Sequence, residues 1–210
     1  PRQVGKTTMV KDIIRSKLDE LEGSESERIF YYNCDLIDTR EEIAELLETY
    51  IDWARKTFDD RLYIFLDEVS SIEEWQDGVK DVIEKGKLKD TTLVLTGSHA
   101  LDIKQGGELL PGRKGEGKNN ILMPMKFAEY IDLVTDFEPP TDFTTRKKAI
   151  FSIFEGEETA ELTRMKPYID ELNSHLIDYM ITGGYPLAIN QFHTDGEIDY
   201  KSYELLREIA

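Results

Sequence analysis

Gly5, Lys6 and Thr7 stand together in the string VGKTT, Asp67 closes the apolar run RLYIFLD with Glu68 next to it, and Ser98 follows a second run, TLVLT. A lysine with a hydroxyl beside it and two adjacent carboxylates are the groups that phosphoanhydride chemistry needs. The Lys6 ammonium suits the β- and γ-phosphate oxygens. The Thr7 hydroxyl and the Asp67 carboxylate are hard oxygen donors for Mg²⁺, and Glu68 can polarise an attacking water. Where a glycine turn feeds a helix start, the N–H groups of Val4, Gly5, Lys6 and Thr7 point inward near the positive end of the helix dipole, and Gly5 allows close approach. Thr8 joins this binding set with a less defined role. The residues expected to carry catalysis are Glu68, Lys6 and Ser98.

Each feature has an ordinary alternative. GKT is short and recurs in exposed turns that begin unremarkable helices. An acidic pair at a strand end is common in an acidic chain as a surface ion pair. The two together weigh more, because a helix, a strand and another helix separate them, which is the spacing of a Walker A loop and a Walker B strand. At the tip of the next strand, Ser98 or Thr96 fits the post that senses the γ-phosphate or the attacking water. A helix-capping serine fits there equally well.

The elements that must position these groups are legible as alternation. Lys6 to Glu22 carries Val10, Ile13, Ile14, Leu18 and Leu21 on one helical face, and Gly23 ends it. Strand-like runs at 28–34, 61–67 and 92–96 alternate with helical stretches at 39–58 and 71–85. Such alternation predicts an α/β fold, a three-layer α/β/α P-loop core on a parallel sheet. The loop's first glycine and the strand before it would fall ahead of Pro1. The chain is therefore expected to be a fragment lacking the first strand, with a weak or empty nucleotide site of its own.

PRQVGKTT, IFLDEV and LVLTGS at these intervals resemble the archaeal and bacterial AAA-like P-loop ATPases whose loop reads GPRQVGKTT, relatives of the AAA+ and STAND groups. The stretch LLPGRKGEGKNNILMPMKFAEYI is similar to that group's L-x-GR … L-x-PLSFxEFL, with Gly112 and Arg113 on the GR and Pro124, Phe127 and Tyr130 on the second half. TGGYPLAI, 182–189, is similar to its GGxP segment and to the GLPLAL motif of STAND ATPases. The resemblance covers nearly the whole chain. It implies ATP and Mg²⁺ as ligands and hydrolysis to ADP and phosphate, with Gly5, Lys6, Thr7, Asp67 and Glu68 in the roles above. It also implies that Pro186, with Gly184 nearby, packs on the adenine from a helical lid; the plain alternative is a helix-ending Gly–Gly turn without ligand. Arg113 is either a γ-phosphate arginine, within or between subunits, or a loop arginine in a basic GRKGEGK stretch. Met125 and Lys126 depart from the group's usual Leu and Ser, and KGEGKNN lengthens its connection. The group continues into a winged-helix region and often a nuclease-like domain, so an effector is expected beyond Ala210.

Composition sets the outer bounds. A core at 1–138 and a helical lid at 139–210 are expected, divided near the turn-rich TDFEPPTDFTT, with helices at 146–154, 167–181 and 200–209. The formal net charge of −17 argues against direct nucleic-acid binding by this polypeptide. Triphosphate binding is compatible with that charge, because backbone amides and Mg²⁺ act locally. The single Cys34 excludes an intramolecular disulfide, reads as a small buried hydrophobe, and suits a cytoplasmic protein. His99, His175 and His193 lack metal-ligand spacing, so the metal expected is the Mg²⁺ of the nucleotide. No apolar run is long enough to span a membrane, and no signal peptide is visible. The expected partners are ATP or ADP and a protein partner or C-terminal domain; the oligomeric state stays open. A GTPase would need a guanine-reading NKxD segment, and the nearest string, SKLD, lies inside the first helix. Glu68 favours water over a kinase acceptor. The rival is a STAND-like switch or interaction module that binds nucleotide without hydrolysing it.

Overall fold

Leu62, Ile64, Phe65 and Leu66 are at most 2 % exposed, so strand β2 (Leu62–Asp67) is apolar on both faces, as the middle strand of a parallel sheet must be. A computed structural model of the chain describes residues 3–21, 23–98, 120–138, 160, 163 and 166–209, which belong to two compact units, 1–122 and 123–210. In the first unit β2 lies between β1 (Ile29–Asn33) and β3 (Thr91–Leu95), all parallel in the order β1-β2-β3. Parallel neighbours need crossovers, and helices α2 (Arg40–Ala54) and α3 (Trp75–Glu84) supply them. Both crossovers step the same way across the sheet, so right-handed connections put both helices on one face. There Ile43, Leu47 and Ile51 of α2 and Trp75, Val79 and Val82 of α3 form one buried core with Leu62, Ile64 and Leu66. Gly78 permits the close approach of the two helices: a Cβ there would stand 2.3 Å from the Arg40 carbonyl oxygen.

Helix α1 (Lys6–Glu20) lies on the opposite face, where the odd-numbered residues of β2 point. Lys17 Nζ sits 5.5 Å from the centre of the Tyr63 ring, and Val10 is 1 % exposed. The rest of the expected apolar face is less covered, since Ile13 and Leu18 remain 40 % and 42 % exposed. The described strands offer α1 a narrow surface, enough to seal Val10 but not the full stripe.

The second unit contains α4 (Phe127–Val134), α5 (Ile169–Thr182), α6 (Pro186–Asp195) and α7 (Tyr200–Ile209). Tyr130, Ile131, Phe137 and Ile189 make its core, with the Tyr130 hydroxyl 2.9 Å from His193 Nε2. Gly183 and Gly184, at φ 60° and 73°, end α5 in the turn that the sequence offers as the plain reading of GGYP. The Met125 N–H donates to the Gly184 carbonyl (2.8 Å), and the Tyr179 hydroxyl donates to the Met125 carbonyl (3.0 Å). Met125 is thus held through its main chain. Lys126 has no side-chain acceptor to cap α4; instead its N–H donates to Glu129 Oε2 at 2.8 Å. Gly112, Arg113, His99, the expected helix at 146–154 and most of the linker at 135–145 lie outside the described residues. No helix of the described residues is long and apolar enough to cross a membrane.

Candidate functional site

The loop before α1 is built from left-handed residues. Gln3 has φ 59°, Gly5 caps the helix at φ 91° and ψ 18°, and buried Val4 between them anchors the turn. A turn of this kind makes successive N–H groups converge on one point, in front of a helix whose dipole adds partial positive charge. Lys6 and Thr7 occupy the first turn of α1, and Thr8 beside them is exposed.

Parallel order brings the carboxyl ends of the three strands side by side, the usual place for ligands in an open α/β sheet. Asp67, at the end of β2, is only 2 % exposed, and three hydroxyls satisfy it. Thr7 Oγ1 and the Tyr31 hydroxyl donate to Oδ2, at 2.7 Å and 3.2 Å, while Thr96 Oγ1 donates to Oδ1. Thr96 also accepts the Glu68 N–H at 3.1 Å. Beside this cluster Ser98 Oγ lies 2.8 Å from both carboxylate oxygens of Glu68 and 3.3 Å from Lys6 Nζ. Lys6 and Glu68 themselves stand 3.8 Å apart, 13 % and 24 % exposed. The Ser98 N–H donates to Ser70 Oγ at 3.0 Å, which holds Ser98 just beyond β3.

Of the residues singled out in the sequence, Lys6, Thr7, Asp67, Glu68 and Ser98 therefore gather at one end of the sheet, next to the Val4–Gly5 loop. Thr96 and Ser98 part company: Thr96 holds the Asp67 and Glu68 backbone region together, whereas Ser98 meets Lys6 and the Glu68 carboxylate. Pro186 belongs to the second unit, where it takes the first position of α6. Two features escaped the sequence reading. One is Tyr31, which sits in an apolar strand and reads there as core. The other is the left-handed backbone of Glu68 (φ 58°, ψ 39°), a conformation costing a non-glycine residue about 1 kcal/mol or more.

Electrostatics follow from the buried Asp67. Burial, and next the negative charge of Asp67, push the Tyr31 phenol above its ordinary value. The Cys34 thiol just beyond β1 is pushed up to about 12 by burial, then by Asp67 and Asp35. The donor set fits a triphosphate carried with Mg²⁺: a hydroxyl and a carboxylate in contact are hard oxygen ligands, and the converging amides and Lys6 supply the anion side.

A parallel sheet, a glycine-capped helix start carrying lysine and threonine, and paired acids at the neighbouring strand end make an α/β core compatible with the P-loop nucleoside-triphosphatase kind. A family model described as an AAA domain matches residues 1–131, and the chain belongs to that family. It is a nucleotide-binding domain of ATPase-like type. No curated protein matches the chain.

Proposed function

We propose that the protein hydrolyses MgATP to ADP and phosphate and passes the resulting change to an effector region or protein partner. The observation that carries this reading is the meeting of Lys6, Ser98 and Glu68 beside the Thr7–Asp67 pair. Lys6 draws charge from the terminal phosphate, and the loop amides bind the phosphate oxygens. Thr7 and Asp67 would hold Mg²⁺ together with the triphosphate, and the ion would there supply charge neutralisation. Glu68 orients a water and accepts its proton; the water oxygen bonds to the γ-phosphorus, the bond from phosphorus to the bridging oxygen breaks, and ADP leaves. Ser98 holds the Glu68 carboxylate in place. In full-length protein Glu68→Gln should lower turnover roughly 100-fold or more while ATP binding persists.

A second reading is a nucleotide-dependent switch with negligible hydrolysis. It is favoured by the engagement of the Glu68 carboxylate with both Ser98 and Lys6. Equal, trace turnover in wild type and Glu68→Gln would select it.

A further inference from the structure

We propose that Tyr31 is a positioning residue for the divalent-cation side of the site, locking the Asp67 carboxylate so that Thr7 presents its oxygen to the ion; this rests on the nucleotide reading above. Tyr31 pairs with Phe65 in the β1–β2 register, and Phe65 and Asp67 share a face of β2, so the phenol rises beside Asp67. Its hydroxyl reaches Oδ2 at 3.2 Å, the same oxygen that receives the Thr7 hydroxyl at 2.7 Å. A hydroxyl has one hydrogen and two lone pairs. Thr7 can offer a lone pair to a cation in a defined direction only while its hydrogen is committed to Asp67. The direction of Oδ2 therefore sets the direction of Thr7.

Thr96 pins the other oxygen, Oδ1, from the end of β3. Tyr31 and Thr96 thus grip the carboxylate from the two strands that flank β2, leaving Thr7 as the donor that comes from the loop side. A phenol suits this job. Its ring is fixed by a strand rather than by a loop, in register with Phe65 two residues before Asp67. Mg²⁺ demands near-octahedral geometry, so a loosened carboxylate should weaken Mg²⁺ more than it weakens the nucleotide alone.

The test is a Mg²⁺ titration of fluorescent ATP-analogue binding by full-length wild type, Tyr31→Phe and Lys6→Ala, with a parallel measurement in EDTA. Tyr31→Phe keeps the ring and removes the hydroxyl. The Mg²⁺ concentration for half-maximal binding should rise about five- to tenfold in Tyr31→Phe, with affinity in EDTA within about twofold of wild type and the melting temperature unchanged. An unchanged Mg²⁺ midpoint in Tyr31→Phe, with Lys6→Ala abolishing binding, would overturn the Tyr31 proposal alone. Equal weakening of Tyr31→Phe with and without Mg²⁺ would overturn it too, by showing a merely structural role. Binding that Lys6→Ala leaves intact would overturn the nucleotide reading and this proposal with it.

Discussion

Cys34 has an ordinary thiol value of 9.0 and is pushed up to about 12, first by burial and then by the carboxylates of Asp67 and Asp35. Because its value is raised on folding, the folded state keeps a proton that the unfolded chain releases. The associated stability is complete below about pH 9 and is lost as pH rises toward about 12. Cys34→Ala removes that titration. The urea midpoint of wild type should therefore fall more steeply than that of Cys34→Ala between about pH 8 and about pH 10.5; parallel curves would show that the thiol is not held in its neutral form. The same carboxylate marks how far single residues could be read from the sequence. Lys6, Thr7, Asp67, Glu68 and Ser98 are nameable as candidates because each proposed role demands one kind of functional group at a motif position. Tyr31 is not, since what makes it relevant is the strand register that lifts its hydroxyl to Asp67. Thr96 and Ser98 stayed unresolved because the difference between them lies in the bonds Thr96 makes to Asp67 and the Glu68 N–H.

At the scale of elements, Gly78 decides how α2 and α3 meet. On an isolated helix Gly→Ala stabilises by about 1 kcal/mol through helix propensity. Here the added Cβ would lie 2.3 Å from the Arg40 carbonyl oxygen, a backbone atom that can yield only if the helices part. Gly78→Ala should therefore destabilise the first unit by about 1–3 kcal/mol, read as a lowered denaturant midpoint with unchanged slope; a gain in stability would mean that propensity outweighs the contact. The strands and the helices α1 to α3 follow the alternation of the sequence closely, because a doubly covered sheet leaves a strong apolar pattern. Helix α6 was harder to see. TGGYP reads as a turn, and the available signal was Pro186 itself, which starts helices as readily as it interrupts them. The exposed Ile13 and Leu18 of α1 show the converse limit: periodicity names a face, but the partner surface determines how much of it is buried.

Across the whole molecule the acidic excess, 43 Asp and Glu against 26 Lys and Arg, opposes compactness by self-repulsion. It was fully visible in composition, whereas the ion pairs that temper it were not. Arg40 meets Glu41, Glu74 and Asp77; Lys85 meets Glu48 and Asp81; Lys87 meets Asp52. These pairs stitch α2 to α3 and to the turn after α3, but they are largely exposed, and each such pair contributes about 0–1 kcal/mol. Added salt weakens both terms, the attraction within pairs and the repulsion among the surplus acids. The surplus should prevail. Its many members repel one another over distances comparable to the roughly 10 Å screening length at 0.1 M, where salt acts most strongly, while paired charges in contact are screened less. Raising NaCl from about 20 mM to about 500 mM should therefore move the urea midpoint upward at neutral pH. A midpoint that falls instead would mean that the ion pairs on α2 and α3 outweigh the repulsion of the −17 net charge.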